Sequence, residues 1–226
     1  MTQLTTQKAI VAERKERWRR FYDPAQPPTR LFLIRCEAEL GARPWPTPDA
    51  VAARIDWAWR KYQLQLEQLA WLDDDSLPFL DVYTGTEIFA AAFGCAVHYP
   101  EDNMPFALPL VRTPEEAERL TVPSLDAPSI AQLFTIAEAL RDRAGEAALV
   151  RLVDIQSPMD IAALIWDKNT FYTALAQTPD AVLRLAHKVK ALMTTFLDAR
   201  FGRFGREVHC PLPQLLHAGR TDTVGR

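Results

Sequence analysis

The segment Leu77–Leu110 constrains the fold of this chain most, because it contains an apolar run that ends in an acid and a glycine turn. The run Leu77–Leu80 leads into Asp81, and a Tyr-Thr-Gly-Thr turn and a short apolar helix, from about Glu87 to Phe93, follow. Buried strands of α/β proteins that end in this way place polar groups at the mouth of a sheet. The pattern therefore predicts chemistry at Asp81 and its neighbours.

Two further apolar runs end in charged residues, and amphipathic helices separate the runs from one another. Leu31–Ile34 suits a strand buried on both faces and precedes Arg35, while Ala148–Val153 precedes Asp154. Strands that alternate with helices predict parallel β/α units. We therefore expect Arg35, Asp81 and Asp154 to converge at the carboxyl ends of neighbouring parallel strands.

Converging strand ends of this kind are typical of the active face of a TIM-type (β/α)₈ barrel. Such a barrel needs eight strands in about 250 residues, whereas this chain has 226 residues and three clear strand candidates. We therefore predict an α/β fold with only the N-terminal half to two-thirds of a barrel. The predicted divisions are a helical extension (1–28), a partial β/α barrel (29–206) and an irregular tail (207–226).

The helical extension contains a predicted helix that a threonine caps and that ends at about Phe21. We interpret its basic residues as a solvated face rather than a binding patch, because Glu13 and Glu16 interrupt them. These basic residues are Lys8, Arg14, Lys15, Arg17, Arg19 and Arg20. The acidic run Asp73–Asp75 cannot direct all its carboxylates at one metal ion, so it predicts a polar turn before the next strand.

The composition excludes several classes of function. The chain is 48% hydrophobic and 24% charged with a net charge of −3, which is ordinary for a soluble protein and argues against nucleic acid as a partner. Three widely spaced cysteines are typical of reduced thiols in a cytoplasmic protein. The N-terminus lacks an apolar signal core, and no apolar run approaches the roughly 20 residues of a membrane span, so we expect neither secretion nor membrane insertion.

The periodicity of the last predicted helix ends at Gly205, and the tail (207–226) has no amphipathic pattern. We interpret this tail as the product of a frameshift and the chain as a truncated fragment. A half barrel exposes the edge of its last strand and the apolar faces of its helices. Such surfaces aggregate or need a partner.

Three stretches of the chain carry a family resemblance through their order and spacing. Asp81 lies near its strand end and precedes Ala92-Phe93-Gly94, Ile155–Pro158 forms the turn after the third strand, and the run Phe171–Val182 continues the helices. Together they resemble the uroporphyrinogen decarboxylase superfamily over roughly residues 30–205. The resemblance implies a (β/α)₈ barrel that is related to the haem-pathway decarboxylase and to methyltransferases serving cobalamin or thiol substrates.

The resemblance assigns roles only to matching positions. Arg35 aligns with the first arginine of the decarboxylase motif Arg-Gln-Ala-Gly-Arg, whose arginines hold substrate carboxylates, but Glu39 stands at the second. Asp81 matches the central aspartate that faces the pyrrole nitrogens, and the decarboxylase tyrosine falls near Leu164. The reversed charge and the missing tyrosine predict weak or absent porphyrinogen decarboxylation.

The resemblance also sets the expected cofactors and partners. Methyltransferases of the superfamily bind zinc through His and Cys residues of a C-terminal half that has no counterpart in this sequence. We therefore expect no cofactor for this chain, and zinc only in a full-length, methyltransferase-like form. The expected partners are a small-molecule substrate and either a corrinoid protein or a second copy of the chain.

Asp81 and Arg35 are the leading site candidates, and each has a structural alternative. As a catalytic residue, Asp81 would hydrogen-bond or ion-pair a substrate cation or pyrrole N–H and stabilise developing charge; otherwise it caps the turn at Gly85. Arg35 either clamps a substrate carboxylate or pairs with Glu37, Glu39 or Asp81.

Three more polar residues complete the predicted substrate-binding set. His98 is either an acid or base or a surface group. Asp154 and Gln156 either line the same mouth or cap the helix that begins near Pro158. Three functions stay open: an enzyme of the superfamily, a small-molecule-binding relative without turnover, and an inactive truncated fragment.

Overall fold

A computed structural model of the chain describes residues 3–27, 29–34, 36 and 40–206. The helices of this part are α1 (Gln3–Tyr22), α2 (Val51–Gln68), α3 (Ile88–Ala92), α4 (Pro114–Arg119), α5 (Pro128–Ala144), α6 (Pro158–Ile165), α7 (Lys168–Gln177) and α8 (Pro179–Phe204). The strands are β1 (Phe79–Leu80), β2 (Val97–His98), β3 (Phe106–Ala107) and β4 (Leu149–Val150). A 3₁₀ turn, Pro48–Ala50, precedes α2.

The strands form two small sheets. β1 and β4 pair in parallel, with Phe79 opposite Leu149 and Leu80 opposite Val150, as expected for β/α units. β2 and β3 pair as an antiparallel hairpin that the sequence analysis did not predict. The described residues close no barrel, so the predicted α/β barrel is confirmed only as far as a parallel pair with its helices.

The parallel pair is apolar on both faces, because successive side chains of a strand point in opposite directions. Leu80 and Val150 belong to the main core. Leu77, Phe79 and Leu149 form a second cluster on the other face, against side chains of α1. The strands are therefore buried on two sides, as their continuous apolar runs predicted.

The main core depends on the long helix α8. Its apolar stripe is buried as the sequence periodicity predicted, and it includes Val182, Leu185, Val189, Leu192 and Phe196. The Phe196 ring meets the Phe89 ring of α3 at 5.4 Å and the Phe134 ring of α5 at 5.5 Å. This packing fixes the helices that flank the parallel strands.

The predicted strand Leu31–Ile34 is wrong, because the segment forms no strand and Phe32 is 66% exposed. Its backbone is held by carboxylates instead. The Phe32 N–H donates to Asp75 Oδ2 at 2.8 Å, and the Ile34 N–H donates to Asp74 Oδ2 at 3.0 Å. An apolar run becomes a buried strand only when a neighbouring strand pairs with its backbone. Among the described residues, the side-chain carboxylates of Asp74 and Asp75 accept these backbone hydrogen bonds instead.

The predicted first helix is confirmed as α1, but its solvated basic face is wrong at Arg14. Arg14 is 3% exposed and donates to Asp74 Oδ1 at 2.8 Å and to the Ser76 carbonyl at 2.7 Å. Arg17 Nη1 lies 2.9 Å from Asp75 Oδ1. The predicted acidic turn is confirmed, and its Asp74 and Asp75 carboxylates are buried because arginines of α1 neutralise them, whereas Asp73 is exposed.

The segment after β4 is held in place by the start of α6. Ser157 caps this helix, and its hydroxyl accepts from the Asp160 N–H while Asp160 accepts from the Ser157 N–H. This capping box fixes the chain that carries Asp154 and Gln156.

Within the described ranges, no helix has the length and apolar character that crossing a membrane requires. The tail (207–226), which includes Cys210, lies outside the described residues, so the frameshift hypothesis concerns residues that the structure does not describe. That hypothesis and the predicted division into an extension, a barrel and a tail stay predictions.

Candidate functional site

Asp81 lies at the centre of a group of charges just after β1. The residue is 1% exposed. Its Oδ2 accepts a hydrogen bond from Lys61 Nζ at 2.6 Å, and its Oδ1 accepts one from Arg151 Nη1 at 3.0 Å. The Lys61 and Arg151 side chains are each 24% exposed. Two cations therefore share one buried carboxylate, and the group carries a net positive charge.

A cavity of about 880 Å³ opens beside this group, and we call it the cationic cavity. Its wall contains Lys61 and Arg151, the further cations Arg14 and Arg43, and the carboxylate of Asp74. The apolar part of the wall includes Leu40, Trp57, Leu69, Leu77 and Phe79. The wall is thus about half polar, and a concave wall that combines apolar side chains with charged groups can hold a small molecule.

Aromatic rings support the two cations that Asp81 holds. Lys61 Nζ lies 4.8 Å from the centre of the Phe79 ring and 5.4 Å from that of Trp57. The guanidinium carbon of Arg151 lies 5.9 Å from the Phe79 ring centre. Ring faces attract cations, so these contacts restrict where the charged ends lie. Lysine and arginine have more N–H donors than each gives to Asp81, so donors remain for a ligand.

Tyr83, two residues after Asp81, contacts two more arginines through its ring. Its hydroxyl donates to the Pro44 carbonyl at 2.7 Å, and the guanidinium carbons of Arg43 and Arg54 lie 4.8 and 5.2 Å from its ring centre. Burial raises the pKa of Tyr83 to about 12, although Arg54 and Arg43 act in the opposite direction. Tyr83 is therefore a neutral phenol that donates a hydrogen bond.

Glu87 is a second buried carboxyl close to the strand end. The residue is 6% exposed. Burial raises the pKa of Glu87 to about 7; a backbone hydrogen bond and Arg54 lower it, and Asp154 adds to the rise. A carboxyl with such a pKa exchanges protons near neutrality, which is a common property of functional carboxyls.

Gly85 makes room for the carboxyl of Glu87. A Cβ atom on Gly85 would lie 2.1 Å from Glu87 Oε2 and 2.8 Å from the Pro105 carbonyl oxygen. Both distances are too short for a carbon atom, so this turn requires glycine.

The residues around Asp81 lie within a region that matches a known family. A family model described as uroporphyrinogen decarboxylase (URO-D) matches residues 79–203, which is more than half of the chain. The chain belongs to the URO-D family. The predicted resemblance is thus confirmed, and the match covers Asp81, His98, Asp154 and Gln156 but begins after Arg35.

A solved methyltransferase from Methanosarcina mazei is similar to this URO-D family chain in fold. The TM-score is 0.53 with 14% sequence identity, over 68% of this chain and 43% of that one. At this identity the likeness concerns the fold alone. The chain spans less than half the length of that methyltransferase. No curated protein matches the sequence.

In this URO-D family chain, the alternative role of Asp81 as the cap of the turn at Gly85 is wrong, and its catalytic role toward a substrate stays a prediction. Its oxygens accept from Lys61 and Arg151 rather than from the turn at Gly85, so it acts as the shared anion of two cations. Arg35 and Glu39 lie outside the described residues, so the predicted carboxylate clamp at Arg35 stays a prediction.

The other predicted residues lie in two different places. Asp154 is half-buried and its charge acts on Glu87. Gln156 follows in the same segment, and neither residue caps α6, because Ser157 does so. His98 is exposed in the β2–β3 hairpin, where its ring centre lies 5.0 Å from that of Phe106.

Lys61, Arg151 and Glu87 are the functional candidates that sequence reasoning missed. Arg151 had a detectable signal, because it is the one charged residue within the apolar run Ala148–Val153, and a charge in a buried strand requires a partner. Glu87 follows a glycine turn directly before an apolar helix, which is a weaker signal. Lys61 occupies an ordinary polar position on α2 and gave none.

No group of three or more His, Cys, Asp and Glu side chains within the described part of the chain is arranged to hold a metal ion. Cys95 is buried, and burial raises the pKa of its thiol to about 11. Cys36 lies in the wall of the cationic cavity. The zinc site of methyltransferases in the superfamily thus has no ligand set among these residues, and its place in a longer form stays a prediction.

Proposed function

We propose that this URO-D family chain binds a small molecule bearing carboxylate groups in the cationic cavity. We propose further that this cavity is the substrate-binding site of an enzyme of the family. The observation that carries the proposal is the sharing of Asp81 by Lys61 and Arg151, whose side chains line the cavity of about 880 Å³.

Charge balance favours an anionic ligand. A charge in a poorly hydrated wall is unfavourable unless an opposite charge compensates it. Asp81 compensates one of the two cations, so one positive charge remains beside the cavity. A ligand carboxylate would neutralise that charge, and the planar guanidinium of Arg151 suits a carboxylate particularly well.

Arg43 extends the positive surface to the rim of the cavity. It is exposed, lies over the Tyr83 ring and forms no ion pair with a described carboxylate. Arg14 differs, because Asp74 and backbone carbonyls already take its donors. The proposed ligand contacts are therefore Lys61, Arg151 and Arg43, with Asp81 as the residue that positions the first two.

The experiment compares a tricarboxylate with its uncharged analogue. We expect propane-1,2,3-tricarboxylate to bind in isothermal titration calorimetry and the corresponding triamide not to bind. Arg151→Gln leaves Lys61 paired with Asp81 and should weaken binding about tenfold or more, because a hydrogen bond between charged groups is lost.

Arg184→Gln is the matched control, because Arg184 pairs with Glu118 on the exposed surface and does not line the cavity. This variant should bind the tricarboxylate as well as the unmodified chain does. Equal affinities of the Arg151 and Arg184 variants, or equal binding of the triamide, would contradict the proposal.

A second candidate function is ligand binding without turnover. One observation favours it: both oxygens of Asp81 are occupied and the side chain has no exposed surface. Incubation of the bound ligand followed by mass spectrometry separates the candidates, since an enzyme changes the ligand's mass and a binding protein releases it unaltered.

A further inference from the structure

Three buried side-chain oxygens near the carboxyl ends of β1 and β4 have no hydrogen-bond partner among the described residues. They are Thr84 Oγ1, Glu87 Oε2 and Gln156 Oε1. Thr84 is 8% exposed and Glu87 is 6% exposed. Proteins satisfy nearly all buried polar atoms, so three such oxygens in the segments that follow two paired strands require an explanation.

The other unpartnered buried atoms of the described chain belong to side chains with charged or hydrogen-bonded partners, and the Glu87 carboxyl likewise has a backbone hydrogen bond. These other atoms belong to Arg14, Arg17, Arg54 and Asp75, which form ion pairs or hydrogen bonds with other described residues. Thr84 has no second side-chain polar atom that could do so. The ionised Glu87 carboxylate and the Gln156 amide oxygen only accept hydrogen bonds, and the Thr84 hydroxyl can also accept one, so a donor would satisfy all three oxygens.

The backbone adds one more acceptor to this place. Glu87 Oε2 and the Pro105 carbonyl oxygen both lie within 3 Å of the point where a Gly85 side chain would begin, at 2.1 and 2.8 Å. Gly85 therefore lets two oxygens converge on one side of the turn. Gln156 belongs to the segment after β4 that also brings the charge of Asp154 to act on Glu87.

Among the described residues, no cation forms a direct ion pair with the Glu87 carboxylate. Arg54 of α2 acts on it at a distance, but the guanidinium donates to the Tyr83 carbonyl at 2.5 Å and to Gln132 Oε1 at 3.1 Å. Asp154 and Tyr99 are the other groups that interact with Glu87, and neither is a cation at neutral pH.

We infer that a primary ammonium group of a ligand binds at the turn Thr84–Glu87, where Glu87 Oε2 and the Pro105 carbonyl oxygen converge, and that Thr84 and Gln156 supply further acceptors. An ammonium group supplies both the positive charge that the carboxylate lacks and several N–H donors for the converging oxygens. This inferred site is distinct from the cationic cavity, whose wall includes none of these residues. The inference therefore does not depend on the proposed carboxylate ligand.

The experiment uses two probes of equal charge, methylammonium and tetramethylammonium, of which only the first has N–H donors. The chain is labelled with ¹³C-glutamate, and the Glu87 carboxyl signal, assigned with Glu87→Gln, is followed by NMR from pH 5 to 8. We expect methylammonium to lower the pKa of Glu87 and tetramethylammonium to leave it unchanged.

The pH dependence gives a second readout. Since the pKa of Glu87 is about 7, its ionised fraction rises about tenfold between pH 6 and pH 8, and methylammonium should bind about tenfold more tightly at the higher pH. Glu87→Gln should remove this dependence. Glu115→Gln, which changes an exposed glutamate of α4, is the matched control and should retain it.

Gln156→Ala provides a further variant that keeps the carboxyl, and it should weaken methylammonium binding several-fold. The inference is overturned if both cations shift the Glu87 signal equally, or if Glu87→Gln and Gln156→Ala bind methylammonium as tightly as the unmodified chain. A failure of tricarboxylate binding in the cationic cavity would leave this result unaffected.

Discussion

Arg151 and Asp81 are register partners, because each is the residue directly after its strand and their side chains meet at 3.0 Å. The strands run parallel with Leu80 opposite Val150, and the Arg151 N–H donates to the Leu80 carbonyl at 2.9 Å. Asp81 and Arg151 follow Leu80 and Val150 directly, so the same register brings their opposite charges together. Backbone pairing therefore sets this ion pair, and Lys61 joins it from α2.

Asp81→Asn should destabilise the fold by about 3 kcal/mol, because it leaves Lys61 and Arg151 next to each other without their shared anion. The measurement is urea unfolding, in which the midpoint should fall while the slope stays constant. Asp56→Asn is the control: it breaks a pair with Arg143 whose side chains are 65% and 42% exposed, and it should cost less than about 1 kcal/mol. Equal costs in the two variants would show that Asp81 does not hold a buried charge group.

Glu87 should make the chain less stable as the pH rises. Its pKa is about 7 in the folded state, above the ordinary value of 4.5, so the folded state holds the proton more tightly than the unfolded state. The stabilising effect of this proton is complete below pH 4.5 and is lost as the pH rises through about 7. Between pH 5 and 8 the unmodified chain should lose roughly 2 kcal/mol relative to Glu87→Gln.

The measurement for this prediction is the free energy of unfolding at several pH values for both proteins. Arg54, Asp154 and Tyr99 are present in both, so their own effects largely cancel in the difference. A difference that stays constant from pH 5 to 8 would contradict the raised pKa of Glu87.

Two glycines should respond to alanine in opposite ways. Gly85→Ala should destabilise the chain by about 1–3 kcal/mol, because its Cβ would meet Glu87 Oε2 and the Pro105 carbonyl at 2.1 and 2.8 Å. Gly202→Ala lies in α8 with no atom within 4 Å of the new Cβ, and it should stabilise the helix by about 0.5–1 kcal/mol. Thermal melting of both variants tests the contrast, which fails if Gly85→Ala melts at or above the unmodified temperature.

Cys95 should resist alkylation in the folded chain. It is 5% exposed, and burial raises the pKa of its thiol to about 11, whereas the reactive species is the thiolate. Iodoacetamide treatment at pH 8 followed by peptide mass spectrometry should leave Cys95 unmodified and should modify Cys36 of the cavity wall. In urea both should react, and fast modification of Cys95 without urea would disprove its burial.

Uroporphyrinogen should lose its carboxylates slowly or not at all in the presence of this chain. This prediction depends on the predicted alignment of Glu39 with the second arginine of the decarboxylase motif, which reverses the charge there. Chromatography of the porphyrinogens after incubation measures the loss, and Glu39→Arg should bind uroporphyrinogen more tightly than the unmodified chain. Stepwise decarboxylation by the unmodified chain at the rate of a functional decarboxylase would refute the prediction.

Sequence patterns predicted the helices and the parallel strands because those depend on local periodicity. α3 lies within the predicted helix at about Glu87–Phe93, α8 is followed by Gly205 as predicted, and β1 and β4 lie within the predicted apolar runs. The apolar run at Leu31–Ile34 failed because burial of a strand depends on neighbours that the run itself does not encode.

The candidate site was predicted only at Asp81, and its partners were missed for a related reason. Lys61 and Asp81 are 20 positions apart and Arg151 and Asp81 are 70 apart, so only the folded chain brings them together. The raised pKa of Glu87 arises from burial, which no residue pattern around it reveals. Asp154 was correctly expected after a strand, although its described interaction is with Glu87 and not with Asp81.

Through its contact with the acidic turn, α1 forms part of the wall of the cationic cavity, although it is far from most of the other wall residues in the sequence. Arg14 lines the cationic cavity while it neutralises Asp74, and Trp18 covers the cluster of Leu77, Phe79 and Leu149. A fragment that lacked α1 would expose that cluster and leave the acidic turn uncompensated. Shortening this chain from its amino end would therefore remove part of the wall of the cationic cavity and not an independent appendage.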